Sequence, residues 1–297
     1  MKYTKDRIIA YGCKLLSIIP DKHYLPIYYR LRTGKKLNLK HPATYNEKLQ
    51  WLKLYDRNPL YTTLSDKYAV RKYIADAIGA EHLIPLIGVY DSFDEIDFDK
   101  LPNQFVIKCT HDSGSVIICN DKSTFNIAEA GKYMKIRLKR NYYYKGREWC
   151  YKDIKPRIVI EKYLTQQDTK GLNDYKIYCF GGKPKMIQVD FDRFVGHKKN
   201  LYTPEWEYIS VMFNYPTHPE SKIEKPKNLN RMLEIAQHIS NKFVYVRVDL
   251  YCVSDKIYFG EMTFFPASGC GKIDPASFDA KMGSWLMLPE VMTSAER

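Results

Sequence analysis

The alternation of hydrophobic and polar positions is clearest toward the end of the chain, in residues 243–252 and 257–264. A period of two predicts half-buried strands, and the turn-forming Ser254-Asp255-Lys256 between them predicts a hairpin. Paired about that loop, Asp249 lies opposite Glu261 and Arg247 opposite Thr263, all four on one face. Val246, Val248, Leu250, Met262 and Phe264 fall on the other face and read as core. Opposed strand residues hold their Cβ atoms roughly 4.5–5.5 Å apart, so the two carboxylates repel unless a cation lies between them. Both are hard oxygen ligands, which suit Mg²⁺ and the phosphates it carries. The alternative is an exposed face bearing ordinary surface acids and an arginine.

Residues 1–60 read as helical, with Pro20, Pro26 and Pro42 as breaks. Thr44-Tyr45-Asn46-Glu47 carries a helix-start signature, and residues 48–55 continue as a short helix. Ser65-Asp66 caps a helix over 67–78, closed by Gly79. Strands are expected over 82–90, 103–110, 116–119 and 157–164, a hairpin over 174–180 and 185–192, and helices over 125–139 and 229–241. Residues 110–115 form a polar turn between two strands. A Walker-type phosphate loop joins a strand to a helix and needs GxxxxGK[ST], which is absent. Strands, helices and hairpins mixed in this order argue for an α+β protein.

The 297 residues suffice for a substantial core in one or two domains, and 45% hydrophobic with 27% charged residues suits a globular protein. No run approaches the ~18 apolar residues of a membrane span. The N-terminal apolar pieces at 8–10 and 15–20 are split by Lys14, unlike a secretory signal, so a cytoplasmic protein is expected. Seven cysteines without a CxxC pair read as small buried hydrophobes, not a zinc site or disulfide framework. The net charge is +13, and residues 1–60 hold 13 Lys and Arg against 4 Asp and Glu. That asymmetry suits an anionic membrane surface or an acidic polymer, or simply a solvated face. Nucleic acid is disfavoured and not expected as a partner, because no helix-turn-helix, zinc-finger or aromatic RNA-binding pattern accompanies it. The 25 tyrosines suit sugar-binding clefts as well as strands.

Four segments, in order, resemble the ATP-grasp superfamily: Ser65-Asp66-Lys67 with Arg71; Ile107-Lys108 with His111-Asp112-Ser113-Gly114-Ser115; Ile160-Glu161-Lys162-Tyr163-Leu164; and Arg247, Asp249, Glu261 and Thr263. The first of these is similar to the lysine-bearing helix start of D-alanine–D-alanine ligases. The resemblance implies an α+β ATP-grasp fold, two α+β subdomains clamping ATP after a helical basic N-terminal extension. The expected division is 1–64, 65–164 and 165–297. It implies Lys67 and Lys108 as phosphate ligands and Ser113, Gly114 and Ser115 as a flexible loop. Glu161 would accept from the adenine amine, Lys162, Tyr163 and Leu164 would meet the ring edge, and Asp168 would hold the ribose. Asp249, Glu261 and Thr263 would hold Mg²⁺, with threonine where the superfamily usually has asparagine. Arg247 would stabilise the moving phosphoryl group. Asp174 and Lys176 would face phosphate or acceptor, and Arg193 an anionic acceptor. His111 and Asp112 would orient substrate or move a proton, or serve the loop structurally, the more common use of such a pair. Ser268-Gly269-Cys270-Gly271 offers N–H groups for an anion, or a simple turn.

Leu37-Asn38, the run from Tyr45 to Lys53, Asp66-Lys67, the run from Phe105 to Lys108, Arg147-Glu148-Trp149, the run from Gly260 to Phe264, and Ser268–Gly271 are similar to the TupA-like ATP-grasp proteins over nearly the whole chain. That resemblance implies a place in bacterial capsule, teichuronopeptide or O-antigen synthesis. It implies ATP-dependent ligation of an amino acid or amine to a carboxylate such as a uronic acid. The substrates would then be an acidic, lipid-linked saccharide and an amine, with the basic N-terminal region meeting saccharide or the inner membrane face. Two rivals remain open: a sugar kinase using the same ATP site, and a glycosyltransferase holding a metal at Asp97-Phe98-Asp99 or Asp190-Phe191-Asp192.

Overall fold

The structure, a computed structural model, describes residues 16–165, 172–191, 198–221 and 223–290. In chain order its helices are α1 (Asp21–Thr33), α2 (Tyr45–Tyr55), α3 (Leu60–Ser65), α4 (Val70–Ile78), α5 (Ile127–Leu138), α6 (Tyr143–Gly146), α7 (Leu229–Ser240) and α8 (Ala276–Trp285). The strands are β1 (Leu86–Tyr90), β2 (Phe105–Cys109), β3 (Val116–Cys119), β4 (Ile158–Lys162), β5 (Asp174–Phe180), β6 (Lys183–Phe191), β7 (Lys198–Tyr202), β8 (Met212–Phe213), β9 (Tyr245–Val253), β10 (Lys256–Thr263) and β11 (Ile273–Asp274).

These elements divide into two compact units. The first takes the described residues of Met1–Pro20 with Pro59–Thr165, and the second Asp21–Asn58 with the described residues from 172 onward. Residues 21–58 thus belong with the C-terminal sheet, whereas the sequence reading set 1–64 apart as one helical region. Pro26 lies inside α1 and does not break it. A proline there removes one N–H bond, and burial of Tyr24, Leu25 and Tyr29 holds the helix nonetheless. The start of α2 is as read: Thr44 accepts from the Glu47 N–H while Glu47 reaches back to the Thr44 backbone, a capping box.

In the first unit an antiparallel sheet has the order β1-β4-β2-β3. Alternation sends Phe105, Ile107, Cys109, Ile158 and Ile160 into a core with Phe93, Leu101, Ala130 and Met134. Lys108 and Glu161 lie on the opposite face. Asp66 does cap the next helix, accepting at Oδ1 from the Tyr68 and Ala69 N–H groups, but regular α4 begins only at Val70. Gly79 closes it with φ +103, a conformation that favours glycine.

In the second unit the sheet order is β10-β9-β5-β6-β7. One face presents Ile177, Cys179, Ile187, Val189, Val246, Val248 and Leu250, all buried, and α7 packs on β5, β6 and β9. Met232, Ile235, Ala236 and Ile239 of α7 are likewise buried. Each such large side chain contributes roughly 1.5–3 kcal/mol by leaving water, so this layer holds the sheet and leaves its other face for polar work.

The hairpin of β9 and β10 differs from expectation in its turn. Ser254 and Asp255 both have positive φ, 48° and 63°, and Val253 pairs with Lys256, so the loop has two residues, not three. Carried on unbroken, that register would place Glu261 opposite Val248. A bulge at Gly260 shifts it by one, and Asp249 faces Glu261 with Arg247 facing Thr263 after all. Glycine suits the bulge because an added Cβ would lie 3.0 Å from both the Asp249 carbonyl oxygen and the Tyr251 ring.

Candidate active site

Each sheet carries a cluster of charged side chains. In the first unit Lys108 Nζ donates to Glu161 Oε2 at 2.6 Å, across the diagonal of β2 and β4. Arg71 of α4 donates to the other carboxylate oxygen at 3.2 Å and to the Ile84 carbonyl at 2.8 Å. Glu161 is therefore shared between two cations. Lys67 donates from Nζ to the Asp112 carbonyl at 2.9 Å and from its backbone to the Thr110 carbonyl at 3.2 Å. Lys162 ends β4 with an exposed side chain, and Tyr163 and Leu164 follow, half-buried. Asp168 lies outside the described residues, as do Asp192 and Arg193.

The 110–115 turn is bound to α5. Ser115 Oγ donates to Asp112 Oδ2, while Arg137 Nε donates to Ser115 Oγ at 2.8 Å and lies 3.2 Å from Asp112 Oδ2. Tyr133 donates to the Gly114 carbonyl at 3.1 Å, and Gly114 adopts φ +78. Only Ser113 and Gly114 of this turn are exposed. His111 is buried and donates from Nε2 to the Arg140 carbonyl at 3.0 Å, tying the turn to the end of α5. Burial pushes its pKa below the usual imidazole value, against the pull of Asp112, so the ring is neutral at pH 7. Arg137 gave no signal in the sequence, because a helical arginine is ordinarily a surface residue.

In the second unit the polar face runs across all five strands. Glu261 and Thr263 stand on β10, Arg247 and Asp249 on β9, Asp174, Lys176 and Tyr178 on β5, Gln188 and Asp190 on β6, and Lys199 on β7. Arg247 donates to both oxygens of Asp249 at 2.6 Å. Its Nη2 also reaches Glu261 Oε1 and Thr263 Oγ1, each at 3.1 Å. Lys176 donates to Asp174 and, at 2.7 Å, to Asp249, with Asp190 at 3.8 Å. Tyr178 donates to Gln188, which donates to Asp190. Burial is the largest influence on Asp249 and pushes its carboxyl up, with Asp174 and Glu261 adding, against Arg247 and Lys176.

The oxygens of Asp249, Glu261 and Thr263 converge on one guanidinium, so a single positive centre suffices for all three. That hard-oxygen donor set suits Mg²⁺. Among the described residues no group of three or more His, Cys, Asp or Glu is arranged to hold a metal ion, so other ligands would come from phosphate and water. Asp97 instead accepts from the Asp99 N–H and pairs with Lys100, capping a turn.

The 266–271 segment follows β10 directly, with Ala267, Ser268 and Gly269 at φ 49°, 55° and 59°. Its carbonyls are held by α2: Gln50 donates to Ser268 and Gly269, Lys53 to Ser268, and Asn46 to Gly271. Of the two uses read from the sequence, the turn is the one these bonds display. They also explain why the run from Tyr45 to Lys53 carries polar residues that are buried.

This architecture, an α+β pair of units with charged sheet faces, is the ATP-grasp fold. The chain belongs to the TupA-like ATPgrasp family, whose profile matches residues 47–287. Among solved structures it is similar to D-alanine–D-alanine ligase from Bacillus anthracis (20% identity, 68% of this chain and 57% of that one, TM-score 0.39). It is also similar to the ADP complex of N5-carboxyaminoimidazole synthetase from Staphylococcus aureus (14%, 68% and 44%, 0.41) and to D-alanine–D-alanine ligase from Helicobacter pylori (13%, 83% and 67%, 0.42). The chain spans less than two thirds of the first two proteins' lengths. No curated protein matches it. Among the described residues no helix is long and apolar enough to cross a membrane.

Proposed function

We propose that the chain is an ATP-dependent carboxylate–amine ligase, which activates a carboxylate as an acyl phosphate and joins it to an amine. The observation that carries this reading is the convergence of Asp249, Glu261 and Thr263 on Arg247, in a member of an ATP-grasp family. In the second unit Asp249, Glu261 and Thr263 would hold Mg²⁺, which when bound offsets the charge of the phosphates. Arg247 and Lys176, which stand beside those acids, would stabilise the phosphoryl group as it moves. In the first unit Lys67 and Lys108 would bind phosphate, Glu161 and residues 162–164 adenine, and Asp168 ribose. Glu161 would then exchange one of its present cations for the adenine amine. The exposed tip at Ser113 and Gly114 would exclude water from the acyl phosphate. The substrates fitting the family resemblance are a uronic acid of a bacterial surface saccharide and an amino acid or other amine. A basic N-terminal region would suit such an acidic, lipid-linked acceptor at the inner membrane face.

The test is ADP release from ATP with a panel of uronic acids and amino acids. Release should require both partners, yield an amide by mass spectrometry, and fall about 10²–10³-fold in Asp249→Ala and Glu261→Ala, the range for losing one charge-stabilising group. A stable phosphate monoester on a sugar hydroxyl, formed without amine, would favour the kinase, and normal turnover in both variants would remove the metal assignment.

A further inference from the structure

We propose that Lys199 is the general base that deprotonates the incoming amine, an assignment that rests on the ligase reading above. At neutral pH an amine arrives mostly as ammonium, which has no lone pair to attack a carbonyl. Something on the acceptor side must take its proton.

Two buried lysines share the polar sheet face and have opposite surroundings. Lys176 sits among Asp174, Asp190 and Asp249 and is held in the charged form. Lys199 stands directly opposite Asp190 in the β6–β7 register, is 3% exposed, and makes no hydrogen bond or ion pair among the described residues. Its Nζ lies 5.4 and 5.2 Å from the ring centroids of Phe213 and Tyr215. Among the described residues the charged groups bearing on it are Asp190 of β6, Lys176 of β5 and Arg247 of β9. Burial lowers its pKa to about 8, with Arg247 and Lys176 adding to the fall and Asp190 opposing it. A lysine so poised is partly neutral at physiological pH and strong enough to accept a proton. The two rings then receive the resulting ammonium.

Its place also fits. Three strand spacings separate β7 from β9, roughly 14 Å between backbones. Lys199 and Arg247 stand on that same polar face, with Lys176 and Asp190 on the strands between them. In the step itself, Lys199 Nζ takes one proton from the ammonium. The freed lone pair attacks the acyl carbon, the C–N bond forms, and the C–O bond to phosphate breaks. The remaining surplus N–H proton leaves with the phosphate as hydrogen phosphate.

Hydroxylamine, already neutral at neutral pH, separates this role from mere charge. With a uronic acid that wild type converts to its hydroxamate, Lys199→Met should keep hydroxamate formation within about threefold. With amino acids, ADP release should fall at least ~100-fold, and Lys199→Arg should behave likewise. In wild type the amine-dependent kcat/KM should rise with pH to a plateau above about 8. By NMR on lysine-labelled protein, the side-chain signal missing from Lys199→Met should titrate near 8. Equal loss with both nucleophiles, or a titration near the ordinary lysine value, would overturn the assignment while leaving the ligase intact. A wild type that forms no hydroxamate from any uronic acid would overturn the ligase reading and this base with it.

Discussion

In the first unit Glu161, its side chain 9% exposed, is shared by Lys108 and Arg71, which water still reaches at 17% and 16% exposure. In the second, Arg247 and Lys176 both lean on Asp249, whose side chain is 2% exposed. The difference lies in what happens when a partner leaves. An ion pair whose cations keep some contact with water can exchange one of them for another ligand, because water covers the interval. A buried carboxylate stripped of its cations keeps the full cost of a charge out of water. The first cluster is thus suited to a ligand that comes and goes, the second to a fixed arrangement of charge.

The largest effect should come from breaking the second cluster. Asp249→Ala removes the carboxylate from Arg247 and Lys176 at once and should cost about 3–5 kcal/mol of stability, read by chemical denaturation, besides the fall in ADP release expected above. Lys199→Met should act in the opposite direction and stabilise. A lysine whose folded pKa is about 8, below its unfolded value of 10.5, opposes folding in full below pH 8, and the penalty fades as pH rises through 8 to 10.5. The variant should gain up to roughly 3 kcal/mol at pH 7, shrinking toward nothing near pH 11 in parallel melts. Gly260→Ala should lose about 1–2 kcal/mol, because its Cβ meets the Asp249 carbonyl and the Tyr251 ring at 3.0 Å. Glu161→Gln, in the more open cluster, should cost only about 1 kcal/mol while weakening ATP binding about tenfold by equilibrium titration. If Glu161→Gln proves as damaging to stability as Asp249→Ala, the contrast between the units fails.

Much of this was legible in the chain. Alternation found the strands of the four-stranded sheet, those of the five-stranded sheet except β7, and the opposition of Asp249 to Glu261, because a period of two leaves little freedom about which face a side chain takes. The turn was misread, since Ser254 and Asp255 look alike in a two- or three-residue loop, and the compensating bulge at Gly260 has no signature beyond a glycine. Within the clusters, Lys67, Lys108, Glu161, Arg247 and Asp249 were named as residues, but their pairings were not. Arg71 sharing Glu161 with Lys108, or Arg137 gripping Asp112, depends on chain segments distant in sequence. Lys199 carried no signal in the sequence, because local sequence does not report burial.

The bulge at Gly260 has a bearing on which lengths this ribbon tolerates. Losing that glycine would leave a straight strand with Glu261 still across from Asp249, since the pairing nearer the turn already counts without it. Gaining one residue between Lys256 and Gly260 would instead swing the acid toward Val248 and into grease. Natural shortening at this spot should therefore be survivable, and lengthening should not.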